Sequence, residues 1–251
     1  MRDLFRQFVQ LNRRVSASIN RMLPENVRKD GNHHFLTETL SDILRQGAVV
    51  YDLGGGAQPY VSRQLKEQWS ARLVGLDICE EELKKAPQGV YDEIIVADLC
   101  SFKGNADADV VICQATLEHV KDTSGAIEAI ASILKPGGKA YLFAPCRNAV
   151  FARLNLILPQ QSKERILYTL LPETEKSQGF PAYYDEGTPA RLEKLFAENH
   201  LRVVKRKLFW MSSYFMVFVP LFLLWRMWQL LFYLVARENA AETMIYVVER
   251  E

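Results

Sequence analysis

Two hundred and fifty-one residues can bury one large core, enough for a single α/β domain with additions. The 31 basic residues stand against 30 acidic ones, a net charge of +1, which lacks the basic excess of a protein that tracks nucleic-acid phosphates and so argues against a nucleic-acid partner. Cys79, Cys100, Cys113 and Cys146 show neither CxxC nor zinc-ligand spacing and mostly fall at or just after apolar runs, which predicts reduced core thiols in the cytoplasm.

Residues 4–22 place Leu4, Phe8, Leu11, Val15, Ile19 and Met22 at spacings of three and four, with Arg2, Arg6 and Arg13 on the opposite face. This predicts a basic amphipathic helix that Pro24 ends. Two roles fit it: packing on the domain through its apolar stripe, or lying on a membrane surface with its arginines against anionic head groups. The N-terminus has no continuous apolar run followed by a small-residue cleavage site, so it does not read as a secretory signal.

From Ala48 onward, short β-rich runs alternate with helical patterns, as in a parallel sheet built from βαβ crossovers. Strands are expected at Ala48–Leu53, Arg72–Asp77, Glu93–Asp98, Asp109–Cys113, Lys139–Pro145, Leu201–Leu208 and Thr243–Glu249. Helices are expected at Glu80–Ala86, Thr123–Leu134 and Thr188–Glu198, the second stopped by Lys135-Pro136-Gly137-Gly138. The chain then divides into an N-terminal helical segment (1–47), a core (48–145), a substrate-side insertion (146–187) and a closing part (188–251). The fold class is α/β, with a doubly wound, seven-stranded, mostly parallel sheet.

Between the last two strands, residues 209–236 are dense in Phe, Trp, Leu and Met and interrupted by Pro220, Arg226 and Gln229. The length suffices to cross a bilayer, since roughly 20 apolar residues do. A connection between two strands of one sheet must return to the side it left, however, which a single spanning helix cannot do. An interfacial helix or monotopic hairpin, a hydrophobic lid and a dimer face all remain open.

Val49-Val50-Tyr51-Asp52-Leu53-Gly54-Gly55-Gly56 is a strand running into a glycine turn, where a side chain at Gly54 or Gly56 would block close approach of a ligand. The following strand ends at Asp77, about two dozen residues on, where a carboxylate can accept both hydroxyls of a ribose. A nucleoside site follows from the pair.

Asp52-Leu53-Gly54-Gly55-Gly56, Asp77, Ala97-Asp98-Leu99, Leu117-Glu118-His119-Val120 and Leu134-Lys135-Pro136-Gly137-Gly138, in that order, resemble the successive motifs of class I S-adenosylmethionine (SAM)-dependent methyltransferases. The resemblance implies a Rossmann-like fold with SAM as cofactor. It implies that Asp52, Gly54 and Gly56 lie at the methionine end, Asp77 with Ile78 at the ribose, Asp98 with Leu99 at the adenine and Gln114 near the amino-acid end. The family's frequent third glycine is replaced here by Gln58. Gly179-Phe180-Pro181-Ala182-Tyr183-Tyr184 and Asp185-Glu186-Gly187-Thr188-Pro189 also resemble methyltransferases encoded with bacterial surface-polysaccharide machinery.

Transfer to a hydroxyl is helped by a base within hydrogen-bond reach, and His119 is the candidate. Leu-Glu-His-Val recurs in methyltransferases of unlike substrates, so a packing role stays open beside it. His33 and His34 lie in a segment able to fold over the site, and Tyr183, Tyr184 and Asp185 are candidates for touching the acceptor. Cys113-Gln114-Ala115-Thr116 differs from the Asn-Pro-Pro-Tyr type of amino-methylating enzymes, and Pro145-Cys146-Arg147-Asn148 lacks clustered acidic metal ligands, so no metal is called for. The leading expectation is O-methylation of a saccharide or lipid-linked saccharide at the inner face of a membrane, with peripheral contact through 1–23 and 209–236. A quinone precursor, a small metabolite and a non-catalytic SAM-binding membrane scaffold are the alternatives.

Overall fold

Runs rich in Val and Ile form strands because β-branched side chains fit a pleated surface. They are β1 (Val49–Leu53), β2 (Arg72–Asp77), β3 (Glu93–Val96), β4 (Ala108–Gln114), β5 (Leu134–Pro145), β6 (Leu201–Phe209) and β7 (Thr243–Arg250). In the computed structural model, which describes residues 2–38, 43, 45–158 and 180–251, they pair in the order β3-β2-β1-β4-β5-β7-β6. Neighbours are parallel except at β7, which runs antiparallel to β5 and to β6. The seven-stranded, mostly parallel sheet expected from the sequence is therefore present.

The helices are α1 (Arg2–Arg21), α2 (Glu25–Arg28), α3 (Gly31–Glu38), α4 (Arg63–Gln68), α5 (Glu80–Lys84), α6 (Thr123–Ile133), α7 (Val150–Ile157), α8 (Pro189–Glu198) and α9 (Val219–Ala236). The strands' period of two divides the core. Tyr51, Leu53, Val74, Val111 and Cys113 pack against Ile127 and Ile130 of α6 and Phe196 of α8. Val50, Leu73, Val110 and Ile112 pack on the other face against Phe35 of α3 and Val61, with Leu65 of α4 at the margin.

The order reverses between β1 and β4, so their C-terminal ends splay and leave a crevice there, as in open α/β sheets generally. β7 starts at this same edge: Thr243 lies opposite Pro145, the last residue of β5, and opposite Phe209, the last of β6. The connection from 210 to 242 that contains α9 thus leaves and re-enters the sheet at the crevice edge.

Two local expectations shift. The turn foreseen at residues 135–138 lies inside β5, which starts at Leu134 because that residue pairs with Ala108 across a register irregularity, with Gly137 at φ +76°. The larger difference is in α1, whose apolar stripe does not pack on the domain. Leu4, Phe8, Leu11, Val15 and Met22 are exposed, and the buried positions are Val9, Asn12, Ser16 and Asn20. The reason is the partner, because α9 offers polar groups there: Val219 N donates to Asn12 Oδ1 at 3.0 Å, and Arg226 donates to Asn20 Oδ1. Of the substrate-side insertion expected at 146–187, α7 and residues 180–187 are described, while 159–179, with Gly179, lie outside the described residues.

Candidate cofactor and acceptor site

The glycine turn is held from below. Gly54 N donates to Leu76 O of β2 at 2.7 Å, and Asp52 Oδ2 accepts from Tyr60 N at 2.8 Å and from the Tyr91 hydroxyl at 3.4 Å. Burial pushes the Asp52 carboxyl up to about 6. With its oxygens turned onto the loop, Asp52 braces the turn. Gly54 has φ +73°, and a Cβ there would lie 2.4 Å from Thr116 Oγ1. The constraint at Gly54 is therefore its own backbone and the neighbouring strand end, beyond the ligand clearance argued from the sequence.

Asp77 ends β2 beside that turn. Its Oδ1 accepts from Cys79 N at 2.9 Å, which leaves Oδ2 to face the crevice near Gly56, and burial with Glu82 nearby raises its pKa. Ile78 is 61% exposed at the crevice wall, an apolar surface ready to be covered by a flat ring. Asp98 holds its loop by accepting from Cys100 N at 2.9 Å, and Leu99 is buried beneath it.

Two adjoining cavities occupy the crevice. One, of about 380 Å³, is lined by Asp77, Ile78, Asp98, Leu99, His119 and Tyr183 among others. The second, of about 320 Å³, is lined by Asp52, Gly54, Gly56, Gln58, Glu82 and Gln114 among others. They share Gly54, Asp77, Ala115 and Phe180. A ligand with an apolar ring at one end, a diol in the middle and a charged amino-acid group at the other meets matching surfaces along this path, so the residues present fit SAM.

β4 delivers the other wall. Gln114 Nε2 donates to Asn32 Oδ1 of α3 at 2.9 Å, so the N-terminal segment reaches the edge of the crevice. It does so through Asn32: His34 turns away onto Phe209, with ring centroids 5.2 Å apart, and its Nε2 lies 2.7 Å from Lys207 Nζ, whereas His33 is exposed. Ala115, at the crevice between Gln114 and Thr116, has φ +52°, an uncommon conformation for a side-chain-bearing residue.

His119 follows on a one-turn 3₁₀ helix, Leu117–His119. Its Nδ1 sits 3.0 Å from Pro181 O, and because a carbonyl can only accept, Nδ1 carries a proton, so that in the neutral imidazole the lone pair is on Nε2. Glu118 points the opposite way: it is buried, its pKa is pushed up to about 8 by burial, and Oε2 has no hydrogen-bond partner. Its backbone carbonyl accepts from Tyr183 N and Tyr184 N at 2.7 and 3.0 Å, which sets residues 180–184 over the crevice.

The three acceptor candidates separate. Tyr183 lines the larger cavity, with Lys121 Nζ 5.7 Å above its ring. Tyr184 is buried against Ala149 and Ala152. Asp185 braces the start of α6 beside its Asp122 N-cap, its Oδ2 accepting from Thr123 N at 3.0 Å and its backbone carbonyl from Thr123 Oγ1. Sequence reasoning overlooked Thr116, Phe180 and Glu82. Thr116 stood two residues after Gln114 in the quoted run, and Phe180 stood in the quoted stretch before Tyr183 without being singled out, since its place at the crevice depends on the long-range Glu118 contacts. Among the described residues no group of three His, Cys, Asp or Glu is placed to hold a metal ion.

Residues 51–142 match a family described as a methyltransferase domain. A ubiquinone biosynthesis O-methyltransferase of Idiomarina loihiensis is 29% identical over 141 residues, which is 53% of this chain and 56% of that protein. The chain spans about half the length of the curated relatives it matches. A SAM-dependent methyltransferase of Methanosarcina mazei superposes with a TM-score of 0.53 at 17% identity, covering 85% of this chain and 97% of that one. Phosphoethanolamine N-methyltransferase 2 of Haemonchus contortus, solved with SAM, gives a TM-score of 0.55 at 15% identity, covering 90% of this chain and 54% of that one.

Proposed function

We propose that this chain, whose methyltransferase domain matches over residues 51–142, is a class I SAM-dependent methyltransferase that methylates a phenolic hydroxyl of an isoprenoid quinone precursor. SAM, when bound, supplies an electrophilic methyl group on a sulfonium. Asp77 would accept the ribose hydroxyls, Ile78 and Leu99 with Asp98 would flank the adenine, and Gly54, Gly56 and Gln114 would surround the amino-acid end, with Asp52 holding the turn.

The observation that carries the acid–base part is His119, in the wall of the larger cavity with Nδ1 tied to Pro181 O at 3.0 Å. That contact orients the ring and leaves Nε2 to take the acceptor's hydroxyl proton as the new bond forms, an effect of about 10²–10⁴ in rate. Phe180, Pro181 and Tyr183 lie over the cavity beside it, where they would position the acceptor ring and exclude water. The acceptor class rests on the relatives, which are named for O-methylation in ubiquinone biosynthesis.

A second reading, a saccharide or lipid-linked saccharide acceptor, rests on the resemblance around residues 179–189. Two of those residues, Tyr184 and Asp185, are occupied by packing and by bracing the start of α6, so less of that stretch remains to recognise a sugar. The test is transfer of labelled methyl from SAM by the purified chain into three extracts: prenylated phenols, membrane glycans and soluble metabolites. Label in the phenol fraction, lost in His119→Gln, is the expected result. Label confined to glycans or soluble metabolites would replace the acceptor, and SAM binding with no transfer anywhere would favour a non-catalytic scaffold.

A further inference from the structure

α1 is inside-out, and α9 beside it leaves an apolar face uncovered. In a water-facing helix the apolar stripe turns to the core and the polar face to solvent, but here α1 buries Asn12, Ser16 and Asn20 and exposes Leu4, Phe8, Leu11 and Val15. α9 is apolar on both sides: its inner face packs Phe222 and Trp225 against Met211 and Phe215, yet its outer face is apolar as well. Phe222, Trp225 and Gln229 are buried, and Leu223, Leu224, Met227, Trp228, Leu231 and Val235 are exposed.

The polar groups of the pair are bonded in its interior. Arg226 donates to Trp210 O and Gln229 Oε1, both at 2.7 Å, and also reaches Asn20 and Val27 O. Trp225 Nε1 donates to Glu242 Oε1 at 3.1 Å. Polar side chains turned inward and mostly paired, with Ser16 Oγ and Arg226 Nε left without a partner, and apolar ones outside, is the arrangement expected of helices bathed in lipid.

The two exposed stripes form one surface, since Phe8 and Phe218 meet with ring centroids 6.2 Å apart. α9 is long and apolar enough to cross a membrane by composition. A single crossing does not fit the connection, however, because β6 leaves and β7 enters at the same sheet edge, and Trp210 next to β6 stacks edge-on against Tyr233 near the far end of α9 at 5.2 Å. That edge is also where the crevice opens.

We propose that the joined outer face of α1 and α9 is an in-plane docking surface for a lipid bilayer bearing anionic head groups. Charge selects this occupant over a second copy of the chain. α1 holds five arginines and one acidic residue, and Arg14 and Arg21, both exposed, flank its apolar stripe. A two-fold contact through this face would bring like charges together, whereas anionic head groups attract them while the apolar stripe enters the acyl boundary. Trp228 and Tyr233 suit the head-group level.

The surface goes beyond the acceptor assignment and does not rest on it, because vesicle binding is read without methyl transfer. The full chain is floated with vesicles of phosphatidylglycerol and phosphatidylethanolamine, and separately of phosphatidylcholine alone. Wild type is expected to float with the anionic vesicles. Phe8→Glu with Leu11→Glu, and Leu224→Glu with Trp228→Glu, are each expected to weaken partitioning at least about a hundredfold, a factor of roughly ten per large apolar side chain kept in water. Arg14→Ala and Arg21→Ala should each cost about fivefold on anionic vesicles and little on phosphatidylcholine. All substituted positions are exposed, and circular dichroism with SAM titration confirms folding. Folded, SAM-binding wild type that stays at the bottom of the gradient overturns the proposal, as do paired variants that float like wild type. So does a lipid-free dimer, seen by sedimentation velocity, that Leu224→Glu with Trp228→Glu dissolves.

Discussion

Replacing Glu118 by glutamine tests whether a buried carboxyl makes this fold weaken as pH rises. Burial pushes the Glu118 pKa from 4.5 up to about 8. The folded chain therefore holds a proton there that the unfolded chain has released between those values, and stability falls as pH rises wherever the folded state binds more protons. At about 1.4 kcal/mol per pH unit of differential ionisation, this one group lowers stability by roughly 3 kcal/mol between pH 5 and pH 8. Glutamine cannot ionise, so the variant should lose that part of the slope and keep the part contributed by Asp52, whose pKa is also raised by burial. The amide's donors meet no partner at the position of Oε2, which costs about 1–3 kcal/mol at every pH and shifts the whole curve without tilting it. Urea unfolding at pH 5, 6, 7 and 8 reads the slope directly. The curves of wild type and Glu118→Gln should converge or cross as pH rises. Parallel curves across that range would show that the carboxyl is not buried neutral and would refute the reasoning.

The other predictions concern the crevice. Asp77→Ala removes the acceptor for two ribose hydroxyls and should weaken SAM binding roughly a hundredfold by calorimetry, with circular dichroism unchanged. His119→Gln should lower kcat by about 10²–10⁴ while SAM affinity is retained; a joint loss of both would mean that the ring packs and does no proton transfer. Gly54→Ala forces a Cβ onto Thr116 at a left-handed φ and should abolish detectable SAM binding. Adding Thr116→Ala relieves the contact but not the backbone, so recovery in titrations should be partial. Asp185→Ala should cost about 1 kcal/mol in urea unfolding, because Thr123 N at the start of α6 loses its acceptor while the Asp122 N-cap stays, with the KM for the acceptor unchanged. A raised KM at unchanged stability would return Asp185 to the acceptor site.

The parallel core was legible because its signals are local. Val49-Val50-Tyr51 and Ile94-Ile95-Val96 read as strands at their ends, and Gly54 and Asp77 mark where β1 and β2 finish. Once those ends are known, the sheet order brings the named cofactor residues to one edge with no further information. The acceptor side was less legible for the opposite reason. Tyr183, Tyr184 and Asp185 are adjacent, yet their side chains go to a cavity, a core and a helix N-terminus. Which goes where depends on Glu118 and Thr123, about sixty residues earlier, and no periodicity encodes that.

α1 shows most clearly what a pattern leaves open. Spacing told which residues share a face, and that much holds: Leu4, Phe8, Leu11 and Val15 do lie together. The inference from an apolar stripe to a buried stripe holds only if water is the solvent outside. Here the polar stripe had a better offer, since Asn12 and Asn20 satisfy Val219 N and Arg226, groups that α9 could not leave unpaired beneath its own apolar outer surface. The helix orientation is set by the polar account of its partner, and that partner lies some two hundred residues away in sequence. A neutral reading of α1 alone cannot reach this. The pairing of Arg226 with Asn20 can be tested at that level: if it fixes the orientation, Asn20→Leu should lower stability in urea unfolding, because Arg226 Nη2 keeps only Val27 O and Met211 Sδ and Arg28 O loses its donor from Asn20 Nδ2.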